Sequence, residues 1–271
     1  MTTPSTSPAA SSYAPPAASS RFVWHDLMTT DAPRATAFYT ALFGWTTQVM
    51  PLGELGDYTM VAAGEEGVGG IVPLDAAHGA PSHWVSYLET GDVDATCARA
   101  GALGGRTLVP PTDIPNVGRF AVVEDPAGAI WSPYRGLEPS PDAPAVAPAG
   151  TAAWHELLTT DPEAMAAFYG DLAGWTHETM PMPTGPYWLF RRGGAFAGGM
   201  MRRPDGDPSR PHWLVYFAVA GADAAAARIA ELGGTIVVPP TDIEDWGRMA
   251  VAVDPTGGMF GVLENRKPDT A

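Results

Sequence analysis

The chain repeats itself. Trp24-His25-Asp26-Leu27-Met28-Thr29-Thr30-Asp31 returns as Trp154-His155-Glu156-Leu157-Leu158-Thr159-Thr160-Asp161, and Val109-Pro110-Pro111-Thr112-Asp113-Ile114 returns as Val238-Pro239-Pro240-Thr241-Asp242-Ile243. Phe38-Tyr39, Gly44-Trp45, His83-Trp84, Gly118-Arg119 and Asp125-Pro126 each have a second copy. The spacing is 130 residues from Trp24 to Trp154 and 129 from His83 to His212, so one residue is lost between the copies. So steady an offset is a duplication, and whatever one copy folds into the other must also fold into. With 271 residues, the chain has room for two domains of ordinary size.

The expected division is a tail over 1–20, a first domain over 21–137, a Pro/Ala-rich linker over 138–150, a second domain over 151–266 and a tail over 267–271. The leading tail has neither the basic start nor the apolar stretch of a secretory signal, so disorder and a cytoplasmic address are expected. Within a copy, a strand ends at Asp31, which caps a helix carrying Pro33 in its first turn and closed by Gly44. Three short strands follow. The pattern then restarts with strand 83–89, helix 93–102, a Gly104-Gly105 stop and three more strands. Each copy is βαβββ twice, which makes four modules in the chain and an α+β class.

Thirty acidic residues against fifteen basic ones give a net charge of −15. That balance argues against nucleic-acid phosphates and anionic membranes as partners. No apolar run approaches the ~18 residues of a membrane span. The single cysteine, Cys97, excludes an intramolecular disulfide and a Cys-based zinc site, and reads as a helix residue. No phosphate-binding loop, dinucleotide fingerprint or nucleophile elbow is present, so no nucleotide cofactor is expected.

Thr30-Asp31, Ala37-Phe38-Tyr39, Leu42-Phe43-Gly44-Trp45 and Val123-Glu124-Asp125-Pro126-Ala127-Gly128, with their second copies, resemble the vicinal oxygen chelate superfamily of glyoxalases, extradiol dioxygenases and bleomycin-resistance proteins. The tandem two-domain subgroup, some of whose members are labelled hydroxylases, is the nearest pattern. The resemblance implies two glyoxalase-like open barrels, each formed by two modules around one cavity. It also implies metal ligands at fixed positions: a His seven residues before the helix-capping Asp, its equivalent in the restarted module, and a Glu on a late strand. Those positions hold Trp24, Val85 and Ser132 in the first copy and Trp154, Leu214 and Gly261 in the second. The leading module ends on Gly69-Gly70-Ile71 and Gly198-Gly199-Met200, with no carboxylate. No metal is therefore expected. His25 and His155 lie one residue off the ligand position, which on a strand sends them to the opposite face.

Alternation puts Trp24, Asp26 and Met28 on the cavity face of the first strand, with Trp154, Glu156 and Leu158 as their copies. On the restarted strand it puts His83, Val85 and Tyr87 there, with His212, Leu214 and Tyr216 as copies. If Trp24 stands opposite Val85, as the superfamily's ligand positions imply, then Asp26 falls opposite His83 and Glu156 opposite His212. Two readings of this pairing stand open. One is a carboxylate–imidazole dyad able to move a proton, in which each His titrates above its ordinary value. The other is a satisfied polar pair bracing the barrel seam. Trp24, Tyr58, Tyr87, Trp154, Tyr187 and Tyr216 are expected to line the cavities with aromatic surface, suited to a flat apolar ligand. Thr112-Asp113-Ile114 with Gly118-Arg119 reads as a structural loop in which Arg119 pairs with a carboxylate, or alternatively as a loop that grips a substrate.

Two functions compete. One is a metal-independent enzyme acting by proton transfer on an aromatic or polyketide-like molecule, through isomerisation, cyclisation, dehydration or hydroxylase-like chemistry. The other is a binding protein that sequesters such a molecule. The catalytic candidates are Asp26, His83, Glu156 and His212. The substrate-binding candidates are Trp24, Met28, Tyr58, Tyr87, Trp154, Leu158, Tyr187 and Tyr216. The chain is expected to be a monomer whose two domains pair with each other.

Overall fold

Helix caps and strand alternation build the same unit twice. A computed structural model of the chain describes residues 20–51, 57–75, 79–141, 143–183, 185–207 and 209–265. The expected tails lie outside the described residues, Ser20 aside. In the first copy the elements are β1 (Phe22–Thr29), α1 (Ala32–Phe43), β2 (Thr46–Pro51), β3 (Asp57–Ala63), β4 (Glu66–Pro73), β5 (His83–Glu89), α2 (Val93–Ala102), β6 (Arg106–Ile114), β7 (Gly118–Glu124) and β8 (Ile130–Gly136). The second copy runs β9 (Ala152–Thr159), α3 (Pro162–Ala173), β10 (Thr176–Met182), β11 (Gly185–Arg192), β12 (Ala195–Arg202), β13 (His212–Ala218), α4 (Ala222–Glu231), β14 (Thr235–Ile243), β15 (Gly247–Val253) and β16 (Met259–Asn265). Each copy forms one curled eight-stranded sheet, ordered β2-β3-β4-β1-β5-β8-β7-β6 and β10-β11-β12-β9-β13-β16-β15-β14. The two modules of a copy join at the antiparallel β1–β5 or β9–β13 seam. None of the described helices is long and apolar enough to cross a membrane.

The helix ends follow the sequence. The Asp31 carboxylate accepts from Arg34 N at 3.1 Å, and Gly44 closes α1 at φ 70°. That left-handed geometry favours glycine. Asp161 and Gly174 do the same for α3. The second copy lacks the capping Asp92 of α2: Gly221 stands there, and the Glu264 carboxylate accepts from Ala222 N instead.

One expected loop is a strand. Thr112-Asp113-Ile114 belongs to β6 and Gly118-Arg119 opens β7; β6 ends the sheet, and its register slips between Thr107 and Val109 and again between Val109 and Thr112. Pro110 and Pro111 lack N–H donors, and an irregular edge is where a sheet tolerates them. Arg119 pairs with Asp94 and Asp113, at 2.8 and 2.7 Å.

The sheets follow the copies, but the cores do not. One core joins α2 and its strands, through Val93, Cys97 and Trp131, to Phe168 and Tyr169 of α3. The other joins Phe38 and Tyr39 of α1 to Phe217, Ile229 and Phe260 of the second copy. Each core thus takes one module from each copy. Cys97 is buried in the first of them, with burial raising its thiol pKa.

Two buried clasps lock this arrangement. The Tyr39 hydroxyl donates to Asp254 Oδ2 at 2.8 Å, and the Tyr169 hydroxyl donates to Asp125 Oδ2 at 3.0 Å. Each Asp uses its other oxygen to hold its own Asp-Pro turn. Asp125 Oδ1 accepts from the amides of Ala127, Gly128 and Ala129, each at 2.9 Å. Asp125→Ala therefore releases three turn amides and strands a buried phenol. The expected cost is about 3 kcal/mol, read as a lower urea midpoint with an unchanged slope.

At the centre of the contact the two off-face histidines meet. His25 and His155 stack with ring centroids 5.0 Å apart, and their Nε2 atoms lie 2.7 Å apart. His25 Nδ1 donates to Val68 O at 3.1 Å, so its Nε2 accepts the proton that His155 Nε2 donates. Phe22 stacks on His155, and Phe217 meets the edge of His25. Burial pushes His25 down to about 4 and carries His155 well below its ordinary value.

Candidate functional site

The inner face of each sheet, opposite the helices, carries a buried acid in mid-strand at the seam. Asp26 sits mid-β1 and pairs with Gly70 of β4 on one side and Val85 of β5 on the other. Three side chains donate to its carboxylate: Trp24 Nε1 at 3.1 Å and Tyr58 OH at 2.7 Å to Oδ1, and Tyr87 OH at 2.7 Å to Oδ2. Trp24 Nε1 also reaches the Tyr58 oxygen at 2.8 Å. The second copy repeats the plan with a longer acid. Tyr216 OH donates to Glu156 Oε2 at 3.0 Å, Tyr187 also hydrogen-bonds that carboxyl, and Trp154 Nε1 reaches the Tyr187 oxygen at 3.0 Å.

Glycines make these approaches possible. A Cβ at Gly70 would fall 2.2 Å from the Tyr58 ring, one at Gly199 1.9 Å from the Tyr187 oxygen, and one at Gly261 2.1 Å from the Tyr216 ring. The tyrosines occupy the space that side chains from the late strands would need.

Burial raises the pKa of Asp26, and the donated hydrogen bonds from Tyr87, Tyr58 and Trp24 pull it partly back. Glu156 is raised by burial in the same way, against Tyr187 and Tyr216. The phenols of Tyr58, Tyr87, Tyr187 and Tyr216 are all raised, first by burial and then by the neighbouring carboxylate, so each stays a donor. The result is a carboxyl whose pKa burial raises, held by neutral hydroxyls.

The expected dyads do not form. Both histidines lie on the strand face that carries the acid, but the register is two residues away from the expected one. Trp24 stands opposite Tyr87, Asp26 opposite Val85 and Met28 opposite His83, and in the second copy Glu156 stands opposite Leu214 and Leu158 opposite His212. Tyr87 and Tyr216 take the place expected for the histidines. His83 Nδ1 instead donates to Pro81 O and His212 Nδ1 to Arg210 O, both at 2.8 Å. Burial lowers the pKa of His212, where the dyad required it to rise, and its Nε2 is buried with no hydrogen-bond partner among the described residues.

Metal ligation needs three or four converging N, O or S donors. Trp24 offers an N–H already given to Asp26 and Tyr58, Val85 offers nothing, and the Ser132 hydroxyl donates to Ala121 O. Tyrosine rings crowd the glycines, and among the described residues no three His, Cys, Asp or Glu side chains converge. The residues present do not fit a divalent metal. The two best-formed surface depressions, of about 370 and 510 Å³, lie beside Arg119 and Arg135 and beside Arg106 and Arg210. Neither is lined by Asp26 or Glu156.

Residues 21–132 match the model of the Glyoxalase/Bleomycin resistance protein/Dioxygenase superfamily, and residues 154–263 match a Glyoxalase-like domain. The chain is 40% identical over 249 residues to the "Putative glyoxylase CFP32" of Mycobacterium tuberculosis, covering 89% of this chain and 93% of that protein. It is 33% identical over 260 residues to the anthracycline biosynthesis protein DnrV of Streptomyces peucetius, covering 90% and 93%. Among solved structures, homoprotocatechuate 2,3-dioxygenase from Arthrobacter globiformis superposes with a TM-score of 0.66 at 17% identity, over 95% of this chain and 84% of that one. The Mn(II)-bound glyoxalase from Novosphingobium aromaticivorans gives 0.58 at 19%, over 92% and 84%. At such identities the structures share the fold alone.

Proposed function

Because the chain belongs to the glyoxalase/bleomycin resistance protein/dioxygenase superfamily, we propose that it uses this fold without a metal, as a proton-transfer catalyst acting on an aromatic polyketide-like molecule of specialised metabolism. The observation that carries the proposal is the buried carboxyl held by two tyrosine hydroxyls where the superfamily's metal ligands are missing. Full-length similarity to anthracycline biosynthesis proteins supports the substrate class.

The chemistry follows from the geometry. An ionised Asp26 removes a proton from a C–H beside a ligand carbonyl. As it becomes neutral it holds the hydrogen bonds from Tyr58 and Tyr87 less strongly, and those hydroxyls turn to the enolate oxygen that the ligand has gained. Return of the proton to another atom of the ligand completes an isomerisation with no change in oxidation state. Trp24 and the tyrosine rings supply flat apolar contact for fused rings.

The test is incubation with hydroxyanthraquinones and their partly reduced, enolisable analogues. Binding is followed by tryptophan fluorescence and conversion by chromatography with mass detection. A product isomeric with the ligand is expected. A ligand bound tightly but returned unchanged after long incubation would make the protein a sequestering one.

A further inference from the structure

The two inner faces differ at their mouths. In the second copy the Trp154 ring meets Phe196 and Trp246 with centroids 6.0 Å apart in each case, and Phe196 meets Trp246 at 4.9 Å. Arg191 stacks on the Phe196 ring at 4.0 Å. Phe196 belongs to β12, while Trp246 lies in the turn between β14 and β15. Strands β12 and β15 are four steps apart in the sheet, which would be about 19 Å in a flat one. Rings 4.9 Å apart therefore bridge the curled face from one side to the other. Beneath the bridge, Leu214, Tyr216 and Val251 are buried against Leu158, Met249 and Met259.

The first copy has no such bridge. Gly67 stands where Phe196 does and Val117 where Trp246 does, and Val117 is 43% exposed. A Cβ at Gly67 would lie 3.0 Å from the Trp24 ring, so that ring rests on the strand where the second copy raises a phenyl group. On this face the ring contacts run from Tyr87 of β5 to Phe120 of β7 and Tyr134 of β8, at 6.2 and 6.1 Å, and among the described residues none reaches β4. Its carboxyl also carries the fuller donor set, since Trp24 reaches both Asp26 and Tyr58.

We propose that the first inner face alone admits the aromatic ligand, and that the Trp154–Phe196–Trp246 bridge closes the second, so that a chain with two carboxyl–tyrosine sites binds one ligand. The inference rests on the functional reading above and adds where that ligand sits.

Native mass spectrometry and calorimetric titration with a soluble hydroxyanthraquinone test it. The wild-type chain should bind one molecule. Phe196→Gly with Trp246→Val, which gives the second face the residues of the first, should bind two. Gly67→Phe with Val117→Trp builds the bridge on the first face and should weaken binding at least tenfold. Val117→Trp alone, at an exposed position, is the milder form if the pair fails to fold. Two molecules per wild-type chain, or one whose affinity ignores the installed bridge, would overturn the inference and leave the functional reading standing. No binding by any folded variant would overturn both.

Discussion

Acidification from about pH 7 to about pH 5 should cost the fold about 2 kcal/mol through His25 alone, and about 3 kcal/mol by about pH 4. The sign follows from the burial of the pair. His25 titrates near 4 in the folded chain and near 6.5 when unfolded, so between those values the unfolded chain binds the extra proton. The contribution of neutral His25 is complete above the unfolded value and is lost as pH falls towards the folded one. His155 adds in the same direction. A proton on His25 removes the acceptor of the 2.7 Å bond, and a second one on His155 would set two cations face to face. The buried carboxyls oppose this trend, because Asp26, Glu156 and Asp125 have raised pKa values and bind protons more readily when folded. Replacing both histidines by leucine removes the pair together with the His25 bond to Val68 O. Urea unfolding across this range should show a flatter pH dependence in the double variant than in the wild type. An identical slope in both would remove the pair from the account.

Asp26→Asn should lower product formation by about 10²–10⁴-fold, the range for a positioned general base, with ligand affinity within a few-fold. The amide keeps the size of the carboxyl and still accepts from one tyrosine, but it cannot take a proton at catalytic pH. Turnover in the wild type should rise with pH through an acid limb above the usual aspartate range, since burial lifts the carboxyl. Tyr58→Phe and Tyr87→Phe remove donors that favour the ionised form, so each should move that limb further up. A purely structural tyrosine would change stability and leave the limb in place.

The repeat, the caps and the alternation made the four modules legible in the sequence, and with them the face shared by Trp24, Asp26, Tyr87 and His83. The register was not legible. A slip of one residue exchanges buried and exposed faces and is betrayed by the hydrophobic pattern. A slip of two keeps every side chain on its face, so Asp26 opposite Val85 and Asp26 opposite His83 satisfy the same alternation. The useful signal was glycine: Gly70, Gly199 and Gly261 leave space that Tyr58, Tyr187 and Tyr216 fill. The crossing of the cores was hidden for another reason. Both copies carry the same apolar pattern, so Phe38 reads equally well against either sheet. His25 and His155 meet because a residue near the pseudo-two-fold axis of a duplicated fold faces its own copy. Phe196 and Trp246 went unread because the first copy has no counterpart to mark them.

The central claim is that the inner-face carboxyl moves a proton on a bound aromatic ligand, and solvent exchange tests it even where equilibrium leaves little product. The ligand, an enolisable hydroxyanthraquinone analogue, is incubated with the protein in deuterium oxide, returned to ordinary water to clear its hydroxyl positions, and weighed by mass spectrometry. The account predicts a deuterium retained on carbon, acquired with the wild type and absent with Asp26→Asn. A ligand shown to bind yet recovered with no deuterium on carbon, or one labelled equally by the Asp26→Asn variant, would contradict it.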